Sequence, residues 1–259
     1  MSYKVVPSRL SRIMSGLVLV LGLLSTTSGN VWALLNETSA EKAEHLRQQA
    51  NPGLFKTWNF DKDHAGELPA GFSVAAAAAR PGATWKVQTQ GTAPSSPHVL
   101  SGTSNCSSCM ELLVADGLQY EYPDLAVRIY AEGAASPGRV GVAFGMKDSN
   151  NFYATVVDLA GKSLEVVRVV EGKESVLGRA SLKTKPVDWH SLRVQRNTII
   201  SKDFIETFFD GQLAVSVEDQ ELGTGLVGLV LRGESSVQFD NFNAAPLYSH
   251  RPLSPPAAY

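Results

Sequence analysis

At 259 residues, with 44% apolar and 19% charged content, the chain suffices for one large packed domain or two small ones. A net charge of −2 with no basic stripe argues against a nucleic-acid partner. No run of like charge marks a membrane-surface patch.

The amino terminus has the layout of an export signal. Lys4, Arg9 and Arg12 precede the apolar run 17–24 (LVLVLGLL), and Val31-Trp32-Ala33 sets small residues at positions −3 and −1 of a cut after Ala33. The expectation is a signal peptide over 1–33 and a secreted or periplasmic mature chain. The alternative is an N-terminal membrane anchor, since no charge falls between Arg12 and Glu37. The polar STTSGN stretch suits hydrocarbon poorly, and no later segment is long and apolar enough to span. Residues 34–53 are polar and form a spacer, with Thr38 or Ser39 placed to cap a short helix and Asn51-Pro52-Gly53 to end it.

From 54 to 246 the chain alternates apolar and polar residues with period two. DLAVRIYAE puts Leu125, Val127 and Ile129 on one face and Arg128 and Tyr130 on the other. RVGVAFGMK sets Val140, Val142, Phe144 and Met146 against Arg139, Gly141, Ala143 and Gly145. FYATVVD, SLEVVRVV, WHSLRVQR, FIETFFDG, QLAVSVED and GLVGLVLR continue the pattern. Turn formers separate the runs, and Asp210-Gly211 is a strong hairpin signal because such turns need positive φ. Many short strands at regular spacing predict an all-β, two-sheet antiparallel β-sandwich. The proline-rich tail, 247–259, is expected to be extended.

The only cysteines, Cys106 and Cys109, are spaced C-x-x-C. Met110 stands where haem attachment needs histidine, and a zinc site lacks a second pair. In an exported chain a local disulfide is the natural state of such a pair, with a redox or copper role as the alternative.

The motif order carries a resemblance. WNFD (58–61), LPAGF (68–72), Trp85, KDSNNFYATVVD (147–158), WHSLRV (189–194), FFDGQ (208–212), GLVGL (225–229) and VQFDNF (237–242) follow one another. The series resembles secreted bacterial domains of the concanavalin A-like lectin/glucanase superfamily, in particular laminin-G-like jelly rolls labelled family-16-like or of unknown function. The resemblance implies a jelly roll whose sheet face binds sugar, with calcium at the sandwich edge in some members. By that resemblance Asp240, with Asp61 or Asp63, is a candidate calcium site. The other reading is that Asp240 accepts hydrogen bonds from turn amides; calcium takes six or more oxygens. The E-x-D-x-x-E strand of the family's glucanases is absent, and Glu218-Asp219-Gln220-Glu221 has the wrong spacing to project carboxylates from one face. The N-S-G strand motif of the 3-keto-glycoside hydrolase relatives is missing as well.

Arg128, Tyr130, Arg139, Tyr153, Arg193 and Gln195 all project away from their strands' apolar residues in this reading, with Gly141, Ala143 and Gly145 leaving room for a ligand. Aromatic rings and planar donors suit sugars, although a solvated sheet face carries such residues in any case. Trp58, Trp85 and Trp189 are read as core or edge packing. The five histidines form no metal-binding pattern, and there is no G-x-S-x-G elbow or phosphate loop. The expected function is non-catalytic binding of carbohydrate or another extracellular polymer, with no cofactor beyond the calcium the resemblance implies. The alternatives are a glycoside hydrolase with loop carboxylates and a protein-interaction module.

Overall fold

The alternating runs become strands and the polar clusters between them become turns. The computed structural model describes residues 52–75, 82–131, 139–183 and 188–247, all within the unit Asn51–Tyr259. The expected signal segment, most of the spacer and nearly all of the tail lie outside the described residues. No described helix is long and apolar enough to cross a membrane.

After a 3-10 turn at Pro52–Leu54, the strands in chain order are β1 (Lys56–Trp58), β2 (Phe72–Ala75), β3 (Thr84–Thr89), β4 (His98–Ser104) and β5 (Met110–Tyr120). Then come β6 (Pro123–Ala131), β7 (Arg139–Asp148), β8 (Asn151–Asp158), β9 (Ser163–Val170) and β10 (Lys173–Ser181). The series ends with β11 (His190–Ile199), β12 (Lys202–Phe209), β13 (Gln212–Glu218), β14 (Gly225–Arg232) and β15 (Ser235–Pro246).

They form two antiparallel sheets. The first runs β13-β12-β11-β6-β15-β4-β3, with β1 also paired to β15, and the second runs β10-β9-β8-β7-β14-β5-β2. Their facing sides make the core, to which β6 gives Leu125, Val127 and Ile129, β14 gives Val227, Leu229 and Leu231, and β15 gives Val237, Phe239 and Phe242. Each such side chain removed from water stabilises the fold by about 1.5–3 kcal/mol.

Phe239 and Phe242 share the core although an even spacing would be needed on a regular strand. A register shift between Asp240 and Asn243, with Asn241 at φ 48°, supplies the extra residue. β1 lies against the far half of β15, with Lys56 opposite Ala244 and Trp58 opposite Phe242. Trp58 stacks on Phe242 at 5.1 Å, and Trp85 is buried beside Phe239, so both pack as expected.

The second sheet departs from the expected alternation, because its outer side is apolar too. Leu112, Val114, Ala143, Met146, Phe152, Ala154, Val156, Val167, Val169 and Val230 form a separate buried cluster there. Val140, Val142 and Phe144 face the core as expected, but Gly141 and Ala143 are buried rather than polar-side, and Met146 changes side. A register shift between Phe144 and Asp148, with Gly145 at φ 57°, accounts for that change.

Cys106 and Cys109 are disulfide-bonded, with Cα atoms 5.5 Å apart, between β4 of one sheet and β5 of the other. The Cys109 carbonyl accepts a hydrogen bond from the Gly233 amide at 2.9 Å, fixing the staple to the β14–β15 turn. Cys106→Ser with Cys109→Ser should lower stability by about 2 kcal/mol or less, the chain-entropy value for so short a loop. A urea midpoint that falls with unchanged slope is the expected readout.

Candidate functional site

The outer side of the first sheet is polar and carries four of the six expected ligand residues. Arg128 and Tyr130 come from β6, and Arg193 and Gln195 from β11, in adjacent strands paired Ser191–Arg128 and Arg193–Ala126. Asp124 holds the second pair in place. It accepts Arg193 Nε at 2.8 Å and Nη2 at 2.6 Å, and Gln195 Nε2 at 3.0 Å. That bidentate contact fixes the guanidinium beside Asp124 and raises the Arg193 pKa. Tyr130 packs against Trp189 with the rings tilted and their centroids 5.4 Å apart, and Arg128 Nη2 donates to the Trp189 carbonyl at 3.1 Å. Arg128 Nε is buried without a hydrogen-bond partner. Trp189 is thus built into the edge of this face as half of an aromatic pair.

The other two residues lie elsewhere. Arg139 is on the outer side of the second sheet, paired with Asp158 at 3.1 Å. Tyr153 is fully buried and belongs to the core, which corrects its expected outward orientation. β8 is apolar on both sides, so its alternation did not reveal which side met the other sheet. Tyr153 stacks on Phe144 at 5.4 Å, and its hydroxyl donates to Asp219 and accepts the Leu222 amide at 2.9 Å. Desolvation and the Asp219 hydrogen bond push the phenol pKa well above its ordinary value. Asp219 also takes Arg168 at 2.6 Å, while buried Arg196 takes Asp203 at 2.6 Å and lies over the Tyr122 and Tyr153 rings, each at 5.7 Å. This network ties the two sheets together.

Nor is the small-residue row a ligand slot. A Cβ on Gly141 would sit 1.7 Å from the Thr155 carbonyl oxygen, so the space beside it is filled by the neighbouring strand.

Asp61 and Asp240 do converge, on Ser95. The β3–β4 loop folds over β15, and the Ser95 amide donates to Asp240 Oδ2 at 2.6 Å while its hydroxyl donates to Asp61 Oδ2 at 2.6 Å. Asp240 Oδ1 accepts the Asn241 amide at 2.6 Å, and Asp61 also accepts Asn59 Nδ2 at 2.7 Å and the His98 amide at 3.2 Å. Burial pushes the Asp240 pKa up to about 6, the two amides oppose it, and the Asp61 charge adds to it. Asp63 is apart, accepting the Ala70 amide at 3.0 Å. These oxygens face N–H and O–H donors, and among the described residues no three acidic, histidine or cysteine side chains gather to hold a metal. In this arrangement Asp240 accepts the Ser95 and Asn241 amides, and Asp61 accepts the His98 amide.

Sequence reasoning missed a cleft of about 660 Å³ where turns of both sheets meet, lined by Lys162, Leu182, Lys183, Asp188, Trp189, His190 and Asp210. Asp210, in the β12–β13 hairpin turn, accepts His190 Nδ1 at 2.8 Å and the Ser191 amide at 2.9 Å. His190 is buried and stacks on Phe209 at 5.0 Å, so the dyad anchors the start of β11 and with it Trp189. The Leu182 amide donates to the Lys162 carbonyl at 2.8 Å, joining the β8–β9 turn to the segment after β10. The sequence marked Asp210-Gly211 and Ala160-Gly161-Lys162 as turns and Trp189 as a packing residue, with nothing to bring them together.

No protein-family model and no curated protein matches the sequence. Solved structures do match in fold. The carbohydrate-binding module CBM66 from Bacillus subtilis aligns with a TM-score of 0.54 at 15% identity, covering 68% of this chain and 95% of that one. The carbohydrate recognition domain of Emp47p aligns with a TM-score of 0.51 at 9% identity, covering 76% and 98%. At such identities the likeness concerns architecture alone. Two-sheet topology and structural likeness together give this chain the concanavalin A-like jelly-roll sandwich fold that its motif order suggested.

Proposed function

We propose that the mature chain is an exported, non-catalytic carbohydrate-binding domain that presents the outer side of its first sheet to a saccharide. The observation that carries the reading is the polar face of Arg128, Tyr130, Arg193 and Gln195, already held in place by Asp124 and Trp189. A sugar offers CH faces to an aromatic pair and hydroxyls to fixed planar donors, and little side-chain freedom is left to lose on binding. Two solved domains with this fold, CBM66 and that of Emp47p, are named for carbohydrate binding, which supports the reading.

A hydrolase needs two carboxylates flanking one bond. In the cleft Asp210 is committed to His190 and Ser191, leaving Asp188 as the free acid. Binding without bond cleavage therefore fits better, and no reducing ends should accumulate when bound glycans are incubated with the protein.

The direct test is a glycan array probed with the chain from Leu34 onward, in calcium and then in chelator. Specific binding that survives chelation is expected, because Asp240 serves amides. Tyr130→Ala or Arg193→Ala should weaken the leading hit roughly tenfold, about 1.4 kcal/mol, by titration calorimetry. Absence of any glycan hit would turn the reading toward a protein partner, and loss on chelation would restore Asp61 and Asp240 as calcium ligands.

A further inference from the structure

The cleft beside Trp189 carries two cations that nothing in the fold employs. Arg139, Arg168, Arg179, Arg193, Arg196 and Arg232 each hold a carboxylate. Lys162 and Lys183 are both exposed, and among the described residues neither forms an ion pair. The backbone bond from Leu182 to Lys162 keeps their two segments together, so the two ammonium groups belong to one mouth. Of the two acids there, Asp210 is occupied by His190 and Ser191, which leaves Asp188 as the cleft's acid without an ion pair among the described residues.

We infer that this cleft is a subsite for an acidic saccharide residue, a uronate or a sulfated sugar. The inference rests on the saccharide reading above and names the ligand class at the edge of the same face. A lysine ammonium is a compact charge with three freely turning donors, suited to the several oxygens of a sulfate or carboxylate and indifferent to ring geometry. Trp189 supplies the apolar wall for the sugar ring. Its tilted contact with Tyr130, ring centroids 5.4 Å apart, joins the cleft to the polar sheet, so one chain can run from the cleft onto that face. Asp188 is left to accept a hydroxyl. The volume, about 660 Å³, lies within the range of roughly 300–1000 Å³ usual for small-ligand sites.

The experiment pairs each acidic probe with its neutral twin: oligogalacturonate with its methyl ester, and chondroitin sulfate oligosaccharide with its desulfated, esterified form. Binding is read by calorimetry at low and at physiological salt. The acidic member of at least one pair should bind more tightly, and its advantage should shrink with salt, since exposed charges are screened within about 8 Å at physiological ionic strength. Lys162→Ala and Lys183→Ala should each weaken the acidic probe roughly three- to five-fold, the double variant should erase its advantage, and Lys→Arg at both should retain it. Both side chains are exposed, and an unchanged melting temperature confirms that the variants fold.

An acidic advantage that survives the double alanine variant overturns the inference. So does a protein that binds neutral glycans but discriminates nowhere between twins, and that result leaves the saccharide reading standing. Failure to bind any member of the array or the pairs defeats both.

Discussion

Gly141→Ala should abolish cooperative folding, at a cost above about 4 kcal/mol, because its methyl group has nowhere to go. A Cβ there would lie 1.7 Å from the Thr155 carbonyl oxygen, 2.8 Å from the Thr155 carbonyl carbon and 3.1 Å from the Val156 Cα. All three are backbone of β8, so no side-chain rotation relieves the clash, and separating the strands breaks the ladder in the middle of the second sheet. Gly228 is in the same position against β5, where a Cβ would be 2.2 Å from the Leu113 carbonyl oxygen. Gly91→Ala is the control, since nothing lies within 4 Å of a Cβ at that loop position. Circular dichroism during thermal unfolding separates the cases. A well-folded Gly141→Ala protein would mean that β7 and β8 stand further apart than described.

Acidification from pH 7 toward pH 4 should strengthen the fold through Asp240. Its carboxyl is fully buried and its pKa rises from 3.8 to about 6 in the folded chain. The fold therefore prefers the neutral acid. That preference contributes fully below the unfolded value of 3.8 and is lost as pH rises through about 6. At about 1.4 kcal/mol per unit, the swing amounts to about 3 kcal/mol. Asp240→Asn is neutral at every pH and should flatten this part of the profile. It should also lower stability at pH 4 by about 1–3 kcal/mol, because its amide nitrogen would oppose the N–H of Ser95 or Asn241. Urea midpoints across that range give the comparison. A slope unchanged in the variant would assign the pH dependence to other carboxylates.

How far these features could be read in advance depended on how each strand is buried. β6 alternates buried and half-buried residues along its whole length, so its core side and its polar side were both legible, and Arg128 and Tyr130 with them. The Asp210-Gly211 turn was legible because both residues take positive φ, at 47° and 78°. β7 and β8 are buried on both sides, and alternation is silent about which side meets the other sheet. That silence misplaced Tyr153 and made the room beside Gly141 look like a ligand slot. β10 is mostly exposed and lacks a repeating apolar side, so it gave little signal as a strand. Asp61 and Asp240 were paired by family resemblance, while Ser95, which brings them together, had no local mark. The cleft was hidden for a different reason. Lys162 sits between β8 and β9, Lys183 and Trp189 between β10 and β11, and Asp210 between β12 and β13, and only the folded chain makes these three connections neighbours.

The pairing of β1 with β15 has a mechanical consequence. Lys56 opposite Ala244 means that the polypeptide enters and leaves the sandwich at neighbouring points. The two strands are antiparallel, so tension applied through those points meets their hydrogen bonds one after another, as in opening a zipper, and never loads the whole row together. As a link in a chain under load the sandwich would therefore yield readily, opening first where Lys56 faces Ala244.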